Sequence, residues 1–385
     1  MNVADVALAP PCPRERHPAP VTGSLLHLIS RAAWRAALAT GALAPTHGEP
    51  FVHLSTAAQV ALPAGVHFAG RTDILLLAVD PAGLDIRFEP GTSDDPMGMT
   101  FPHAYGAVAT SAVVSVLPYR PGPAGFMPPP TPPTRADTGL RAGGVEPSVL
   151  RRAAEWEVPV TGGVAVLTPA LPCSRRHNQL LLDVAPDHGA PDAATVAAEA
   201  DQVLGGAGLA HRAARLTGPG AGLTAAGLSE LGWSARQMMT MSAPARDGAP
   251  GQVVQPDHEA LRDEAGSAGG RNLRTMFPAG RSDSHDREAA VVDLRSLAVH
   301  EQGPCGDPTV VASALLRVDG ATAQLEVVRA RPAHADALVA EALASAAAAD
   351  CDLVVLDAAV DGTAQHRHAR LGFTEVGRWW QVGRP

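Results

Sequence analysis

Lysine is absent from this sequence: all 30 of its basic residues are arginine. That excludes Schiff-base chemistry and a lysine general base, and with them any modification of the chain's own lysines. The formal charge of −9 excludes a general nucleic-acid binder, whose affinity depends on a basic surface facing phosphate. Cysteine is scarce too. Cys12, Cys173, Cys305 and Cys351 include no close pair, so neither a CxxC metal knuckle nor a secreted disulfide framework is present. Aromatic residues make up 4% of the chain. No apolar run reaches the ~18–20 residues that a membrane helix requires. The N-terminus, Met-Asn-Val-Ala-Asp, lacks a basic stretch followed by an apolar core. A soluble cytoplasmic protein with no membrane or nucleic-acid partner is expected, and composition leaves its oligomeric state open.

What is present is alanine, valine and leucine in quantity, within a hydrophobic content of 46%. A chain of 385 residues has room for two or three domains with sizeable cores. Proline and glycine cluster, and the clusters suggest boundaries. Residues 1–21 are proline-rich and aperiodic, which predicts a disordered tail. Pro121 to Pro147 contains Met-Pro-Pro-Pro-Thr-Pro-Pro followed by glycines, which predicts a semi-rigid spacer. The expected division is a tail at 1–21, a first domain at 22–120, a linker at 121–148, and two further units at 149–245 and 246–385.

In the first domain, Leu25–Ile29 reads as a strand running into Ser30 as helix N-cap, with Gly41 as the stop. Thr56 and Gln59 form a capping-box pattern. Ile74–Val79, Ile86–Glu89 and Val113–Val116 read as strands. The unusual residues are His27, His53 and His103, with Ser55 and Tyr105. Imidazole and hydroxyl groups can hold a ribose or phosphate, and histidine moves protons near neutral pH. Three histidines could also bind zinc, or each could simply bond a backbone carbonyl in a small core. Two motifs carry most of these residues, Phe51-Val-His-Leu-Ser55 and Phe101-Pro-His-Ala-Tyr-Gly106. With the opening Leu-His-Leu-Ile and the Leu-Leu-Leu-Ala-Val-Asp80 strand, they resemble the domain of unknown function 952 family over roughly residues 24–120. The resemblance implies an α+β fold similar to ADP-ribosyltransferases, with NAD or another nucleotide in a cleft between two small sheets. A glutamate typical of active ADP-ribosyltransferases has no motif here, and Glu89 is the candidate.

The middle unit reads strand–helix–strand–helix–strand. Gly163–Leu167 and Gln179–Val184 are strands, Asp192 caps a helix after Pro191, and His211–Leu216 is a strand. Leu223–Leu231 is a helix, and Arg236–Met241 a strand in which Met238, Met239 and Met241 are core residues. His177-Asn178 is polar ahead of a strand and is not read as a site. In the last unit a helix is expected at His258–Ala265, with strands at Ala290–Val299, Val310–Val318 and Thr322–Val328. A helix at Ala335–Ala349, a strand at Leu353–Leu356 and a last helix ending in Arg370-Leu-Gly-Phe373 follow. Strands separated by a helix of this length imply a right-handed parallel crossover. Leu231-Gly-Trp233 before the last middle strand echoes Leu371-Gly-Phe373, so the C-terminal region is expected to be mixed α/β in two halves.

The order and the Arg-Leu-Gly-Phe ending, followed by Thr374-Glu-Val-Gly-Arg378, resemble the acyl-CoA N-acyltransferase (GNAT) superfamily, with a degenerate half before it. The resemblance implies acetyl-CoA as cofactor and a small-molecule or peptide amine as acceptor. It implies a pyrophosphate loop of pattern Arg/Gln-x-x-Gly-x-Gly/Ala. Here that loop reads Arg331-Pro332-Ala333-His334-Ala335-Asp336, so Arg331 matches while His334 and Asp336 replace the glycines. Asp336 is expected as an N-cap, and weak cofactor binding follows. If the phosphates were held elsewhere, the helix start after Pro191 is the expected place. Glu326 stands where a general base would deprotonate the amine, and His368 stands where the family's thiol-protonating tyrosine often does. The expected function is an N-acyltransferase fused to a nucleotide-binding module. The alternative is a non-catalytic ligand-binding or interaction protein on the same fold.

Overall fold

A computed structural model describes residues 23–46, 48–90, 98–185, 191–247, 253–254, 279–302 and 308–385. The expected tail at 1–21 and the helix at 258–265 lie outside the described residues. The first unit runs β1 (Leu25–Ser30), α1 (Arg31–Thr40), β2 (Ala42–Leu43), β3 (Phe51–His53), α2 (Ala61–His67), β4 (Ile74–Val79), β5 (Ile86–Pro90), β6 (Thr100–Tyr105), β7 (Val108–Ala109) and β8 (Val113–Pro118). Ser30 caps α1, its Oγ accepting from the Ala33 N–H at 3.2 Å, and Gly41 ends it in the left-handed region at φ 77°. The strands form two small antiparallel sheets, β1-β4-β8 and β3-β6-β5, and a β2–β7 pair. Every residue of β4 is buried. Leu75, Leu77 and Val79 face Trp34 and Val52, while Leu76 and Ala78 face Tyr119, Phe126 and Ala321. A continuous apolar run is what a strand covered on both sides needs.

The expected linker is different in its second part. Residues 138–148 form most of α3 (Thr138–Ala153), not a spacer. Ala142, Val145, Val149, Leu150 and Ala153 recur at helical spacing and are buried. Gly139 lets the helix approach β-sheet backbone, since a Cβ there would stand 3.2 Å from the Val376 carbonyl oxygen. Low side-chain bulk, which reads as linker in sequence, here serves close packing.

The rest of the chain builds one sheet. It continues β9 (Trp156–Val160), β10 (Gly163–Leu167), β11 (Gln179–Asp183), α4 (Ala193–Ala200), β12 (Arg212–Thr217), α5 (Ala221–Glu230), β13 (Ser234–Pro244), β14 (Val253–Val254), α6 (Ala279–Ala289), β15 (Asp293–Gln302), β16 (Pro308–Asp319), β17 (Thr322–Ala330), α7 (Pro332–Ala347), β18 (Leu353–Ala359), α8 (Ala364–Arg370) and β19 (Thr374–Arg384). The 11 strands lie in the order β14-β15-β16-β17-β18-β13-β19-β12-β11-β10-β9. Two pairs are parallel, β11 with β12 and β17 with β18, each joined through a helical crossover. The halves exchange their last strands: β13 lies against β18, and β19 lies between β12 and β13. The turns that launch the exchanged strands match. Gly232 and Gly372 both have positive φ, and Trp233 and Phe373 bond back to the Leu228 and His368 carbonyls at 3.0 Å. Met239 and Met241 lie in the core, while Met238 is only partly buried. Among the described residues no helix is long and apolar enough to cross a membrane.

The first unit is fastened to the second half of this sheet. The β16–β17 turn, Asp319-Gly320-Ala321, inserts beside β8, with Ala321 N–H donating to the Val113 carbonyl at 2.8 Å. Asp319 accepts from Trp34 Nε1 at 2.9 Å and pairs with the fully buried Arg152 of α3. Arg135 bridges Asp80 of the first unit at 2.6 Å and Asp352 of the second half at 2.5 Å.

Candidate functional site

The two histidine motifs of the first unit are cross-strand partners. In the β3–β6 register Phe51 faces Tyr105 and His53 faces His103. Their rings gather on one face: Phe51 stacks on His103 at 4.0 Å and 6°, and His53 meets His103 edge-on at 5.0 Å. Glu89 on β5 completes the group, accepting from Tyr105 Oη at 2.8 Å and lying 2.7 Å from His103 Nδ1. The His103 and Tyr105 hydrogen bonds hold the Glu89 carboxyl below its ordinary range, and Glu89 in turn raises the Tyr105 hydroxyl. Arg87 lies 3.8 Å over the Tyr105 ring. His27 is set apart by its bond: its Nδ1 lies 2.8 Å from the His53 carbonyl oxygen, and burial lowers its pKa. Ser55 is buried and joins β1 through a backbone bridge to Leu26. Three of the five expected residues, His53, His103 and Tyr105, thus surround one another through β3 and β6 with Phe51 and Glu89 added, while His27 reaches them through the backbone and Ser55 stands apart at its bridge to Leu26. Among the described residues no group of three His, Cys, Asp or Glu side chains is arranged to hold a metal ion.

In the second half, β17 and β18 pair only at Thr322–Leu353, Ala323–Val354 and Gln324–Val355. Beyond these the strands part, although β17 continues to Ala330 beside β16 and β18 to Ala359 beside β13. Their facing backbone groups form the two sides of a wedge. An irregularity opposite Ser313 and Ala314, where Val328 is the extra residue on β17, adds twist at the same level. Among the described residues the first half has no such opening, because β11 and β12 pair from Leu180–Ala214 to Asp183–Thr217 and Val184 N–H adds a bond to the Thr217 carbonyl at 2.8 Å.

The expected acyl-CoA residues lie around the wedge but do not form a phosphate cradle. β17 passes into α7 with Arg331 alone between them, as N-cap and without a side-chain cap. Pro332 at the helix start has no N–H, and the His334 N–H already bonds the Arg331 carbonyl at 2.9 Å. His334 Nε2 lies 3.0 Å from Glu301, and exposed Arg331 lies 3.9 Å from the same carboxylate. Asp336 is not the N-cap. It sits in the second turn, 3.7 Å from Arg367, because the strand runs directly to Arg331 and places the helix start earlier than glycine spacing suggested. The alternative phosphate seat after Pro191 is occupied in part by its own cap, with Asp192 accepting from Thr195 N–H at 2.7 Å. His368 is buried against Phe373, and its Nδ1 has no hydrogen-bond partner among the described residues; burial and then the Arg367 charge lower its pKa.

A family described as "Protein of unknown function (DUF952)" matches residues 28–116. A solved structure from Caulobacter crescentus is 30% identical, over 27% of this chain and 91% of that one, with a TM-score of 0.24. Through residues 28–116, the chain belongs to the DUF952 family. No curated protein matches the chain. A functionally unknown conserved protein from Staphylococcus epidermidis is 12% identical over 59% of this chain and 92% of that one, TM-score 0.43. A "tandem GNAT protein from the clavulanic acid biosynthesis pathway" is 14% identical over 45% of this chain and 63% of that one, TM-score 0.30. The region after the DUF952 module is mixed α/β and has GNAT-like structural neighbours, and overlaps this partial say nothing of its activity.

Between the DUF952 module and the two halves, α3 covers a charged network that sequence reading missed. Glu146 of α3 accepts from Arg176 at 2.9 Å and from Arg215 at 2.6 Å. Arg176 also pairs with Glu288, which accepts from Arg317 at 2.6 Å and lies 3.1 Å from His177 Nε2. Arg317 reaches Glu326 at 2.6 Å. Burial alone would raise these carboxyls, but the arginines outweigh it: Glu146 is lowered to about 2, Glu288 lies well below its usual range, and Glu326 is lowered. Glu326 is thus a poor proton acceptor as it stands. Asp357 takes the corresponding position on β18 and behaves oppositely, raised by burial and then by Glu146. It accepts from Thr240 at 2.6 Å and Trp379 Nε1 at 3.1 Å, and Arg215 stacks over Trp379 at 3.7 Å. Arg176 stands beside His177, the residue set aside in sequence, and Glu146 lies in the stretch read as spacer.

Proposed function

We propose that the second half takes an acyl-coenzyme A thioester in the β17–β18 wedge and acts as an N-acyltransferase on an amine. The observation that carries this is the parallel pairing that stops after three residue pairs. Two strands that part leave backbone N–H and C=O groups facing an open space, and an extended, amide-bearing arm can pair with both sides as an added strand would. Such a thioester supplies an activated carbonyl carbon: the amine nitrogen bonds to it, the carbon–sulfur bond breaks, and the amine's proton must pass to a base. Asp357, whose raised pKa suits proton exchange, fits that role better than Glu326. The pyrophosphate end fits poorly, because Pro332 removes a donor and Glu301 and Asp336 bring negative charge near the helix start. That favours weak binding, and it is the one observation favouring a non-catalytic binding module instead.

Hydrogen–deuterium exchange of the full chain with and without acetyl-CoA tests the seat. Added protection is expected at Glu326–Ala330 and Leu356–Ala359. Protection confined to other segments would overturn the reading.

For the DUF952 module we infer a nucleotide-like ligand and an ADP-ribosyltransferase-like arrangement. The Phe51–His103 stack, the Arg87 cation and the paired His103–Glu89–Tyr105 groups support it, since rings take a base and hydroxyl and imidazole groups take a ribose. Calorimetric titration with NAD checks it: heat that disappears in His103→Ala supports the site, and no heat removes NAD as the ligand.

A further inference from the structure

The sheet face under α3 carries buried polar atoms that no described residue satisfies. Arg317 Nη1, Arg215 Nε, Arg176 Nη2, Gln324 Oε1 and Ser313 Oγ have no hydrogen-bond partner among the described residues. Register puts the last-strand members side by side. Arg317 on β16 faces Gln324 on β17, and Leu315 faces Glu326. Ser313, Leu315 and Arg317 alternate with Ala312, Ala314 and Leu316, which pack into the opposite core beneath α7. Burial is deep: Arg317 is 1% exposed, Ser313 2%, Arg215 3% and Gln324 5%. Native interiors hold few unsatisfied polar groups, and a guanidinium N–H without a partner is among the costliest. So many on one face, at the level where β17 and β18 part, mark a place made for a polar guest.

The charges say which guest. Three guanidinium groups, Arg176, Arg215 and Arg317, already face the carboxylates of Glu146, Glu288 and Glu326, with Asp357 3.8 Å from Arg215, and the unpartnered guanidinium atoms are all donors. An anion alone would leave the carboxylates short of positive charge, and an amine alone would leave the guanidinium donors unpaired. A zwitterion serves both. Glu326, with a side chain 42% exposed, gives the amine end an acceptor at the rim of the wedge. The depth of Arg317 and Arg215 suits a small free molecule better than a peptide.

We propose that this face seats a free α-amino acid, its carboxylate on the Arg176 and Arg317 donors and its amine between Gln324 and Glu326. This rests on the acyltransferase reading in one respect only, that it makes the amino acid the acyl acceptor. The carboxylate gains charge-assisted bonds from groups now unpaired, and the amine points to where the strands separate.

The test is calorimetric titration of the full chain with a panel of free L-amino acids. Each is matched with the amine lacking its carboxylate and with its N-acetyl form, in the presence and absence of acetyl-CoA. At least one amino acid is expected to bind, with both matched compounds weaker by about tenfold or more. Arg176→Gln lies at the edge of the network, and circular dichroism checks its fold; it is expected to weaken the amino acid about tenfold and the matched amine hardly at all. The proposal is overturned if no amino acid in the panel gives heat, or if a matched amine binds as well as its parent. Amino-acid binding without any acetyl-CoA binding supports the site and overturns the acyltransferase reading, so the two failures are distinguishable.

Discussion

Replacing Asp319 by Asn probes how the DUF952 module is fastened to the 11-stranded sheet. Asn keeps an oxygen for the Trp34 Nε1–H bond, which measures 2.9 Å, but removes the charge that faces Arg152. Arg152 is 0% exposed and Asp319 4% exposed, so solvent cannot take over. Arg152 would keep its bonds to the Val291 carbonyl at 2.9 Å and the Ser148 carbonyl at 3.3 Å, and a 3.3 Å contact with the oxygen that Trp34 also uses, but would lose its charged partner. Removing one partner of a buried ion pair costs about 3–5 kcal/mol. That is roughly two to four decades in the unfolding equilibrium constant at about 1.4 kcal/mol per decade. Urea unfolding followed by tryptophan fluorescence reads it, with Trp34 itself as a reporter. Pairing Asp319→Leu with Arg152→Met removes both charges and should recover most of the loss, leaving a deficit for the unpaired Trp34 N–H of about 1–3 kcal/mol. A cost below about 1 kcal/mol for Asp319→Asn would refute the reasoning, since it is what an exposed pair gives.

Gly320→Ala should also loosen the same joint, by about 1–3 kcal/mol in urea unfolding, because φ is +72° and the new methyl would meet the Val113 carbonyl. Native trypsin should leave Arg135 and Arg141 uncut, since Arg135 bonds Asp80, Asp352 and the Ser111 carbonyl and Arg141 is buried; rapid cleavage at either would contradict the packing of α3. Acid should weaken the protein through the arginine-bound carboxylates. The folded pKa of Glu146 is lowered from 4.5 to about 2, so its contribution is complete above 4.5 and disappears as pH falls toward 2. Glu288 and Glu326 add in the same direction, whereas Asp357, raised, contributes at low pH and loses its contribution as pH rises through its folded value. A urea midpoint that does not fall across that acid window would contradict the network.

Local signals carried much of this fold. Ser30, Gly41 and Asp192 act as the caps their chemistry suggests, and Gly232 and Gly372 end matching helices. The two histidine motifs could be recognised as related in sequence, but their register as β3 and β6 could not, nor could the contribution of Glu89 from β5. α3 was missed because glycine and Pro147 hide its apolar spacing, and a glycine-rich helix looks like a spacer until its partner backbone is known. The charged network was illegible for a different reason. Glu146, Arg176, Arg215, Glu288, Arg317 and Asp357 come from separate elements far apart in the chain, and no spacing rule links them. The strand exchange is equally non-local, since either half could close on itself with the same local sequence.

The most direct measurement is calorimetric titration of the full chain with acetyl-CoA. Weak binding is expected, with a dissociation constant near the millimolar range, about 4 kcal/mol short of micromolar affinity. His334→Gly with Asp336→Gly should tighten it by clearing a side chain and a charge from the α7 start, without full recovery because Pro332 remains. No heat up to about 10 mM would contradict an acyl-CoA seat between β17 and β18, and micromolar binding by the unaltered protein would contradict the account of its phosphate end.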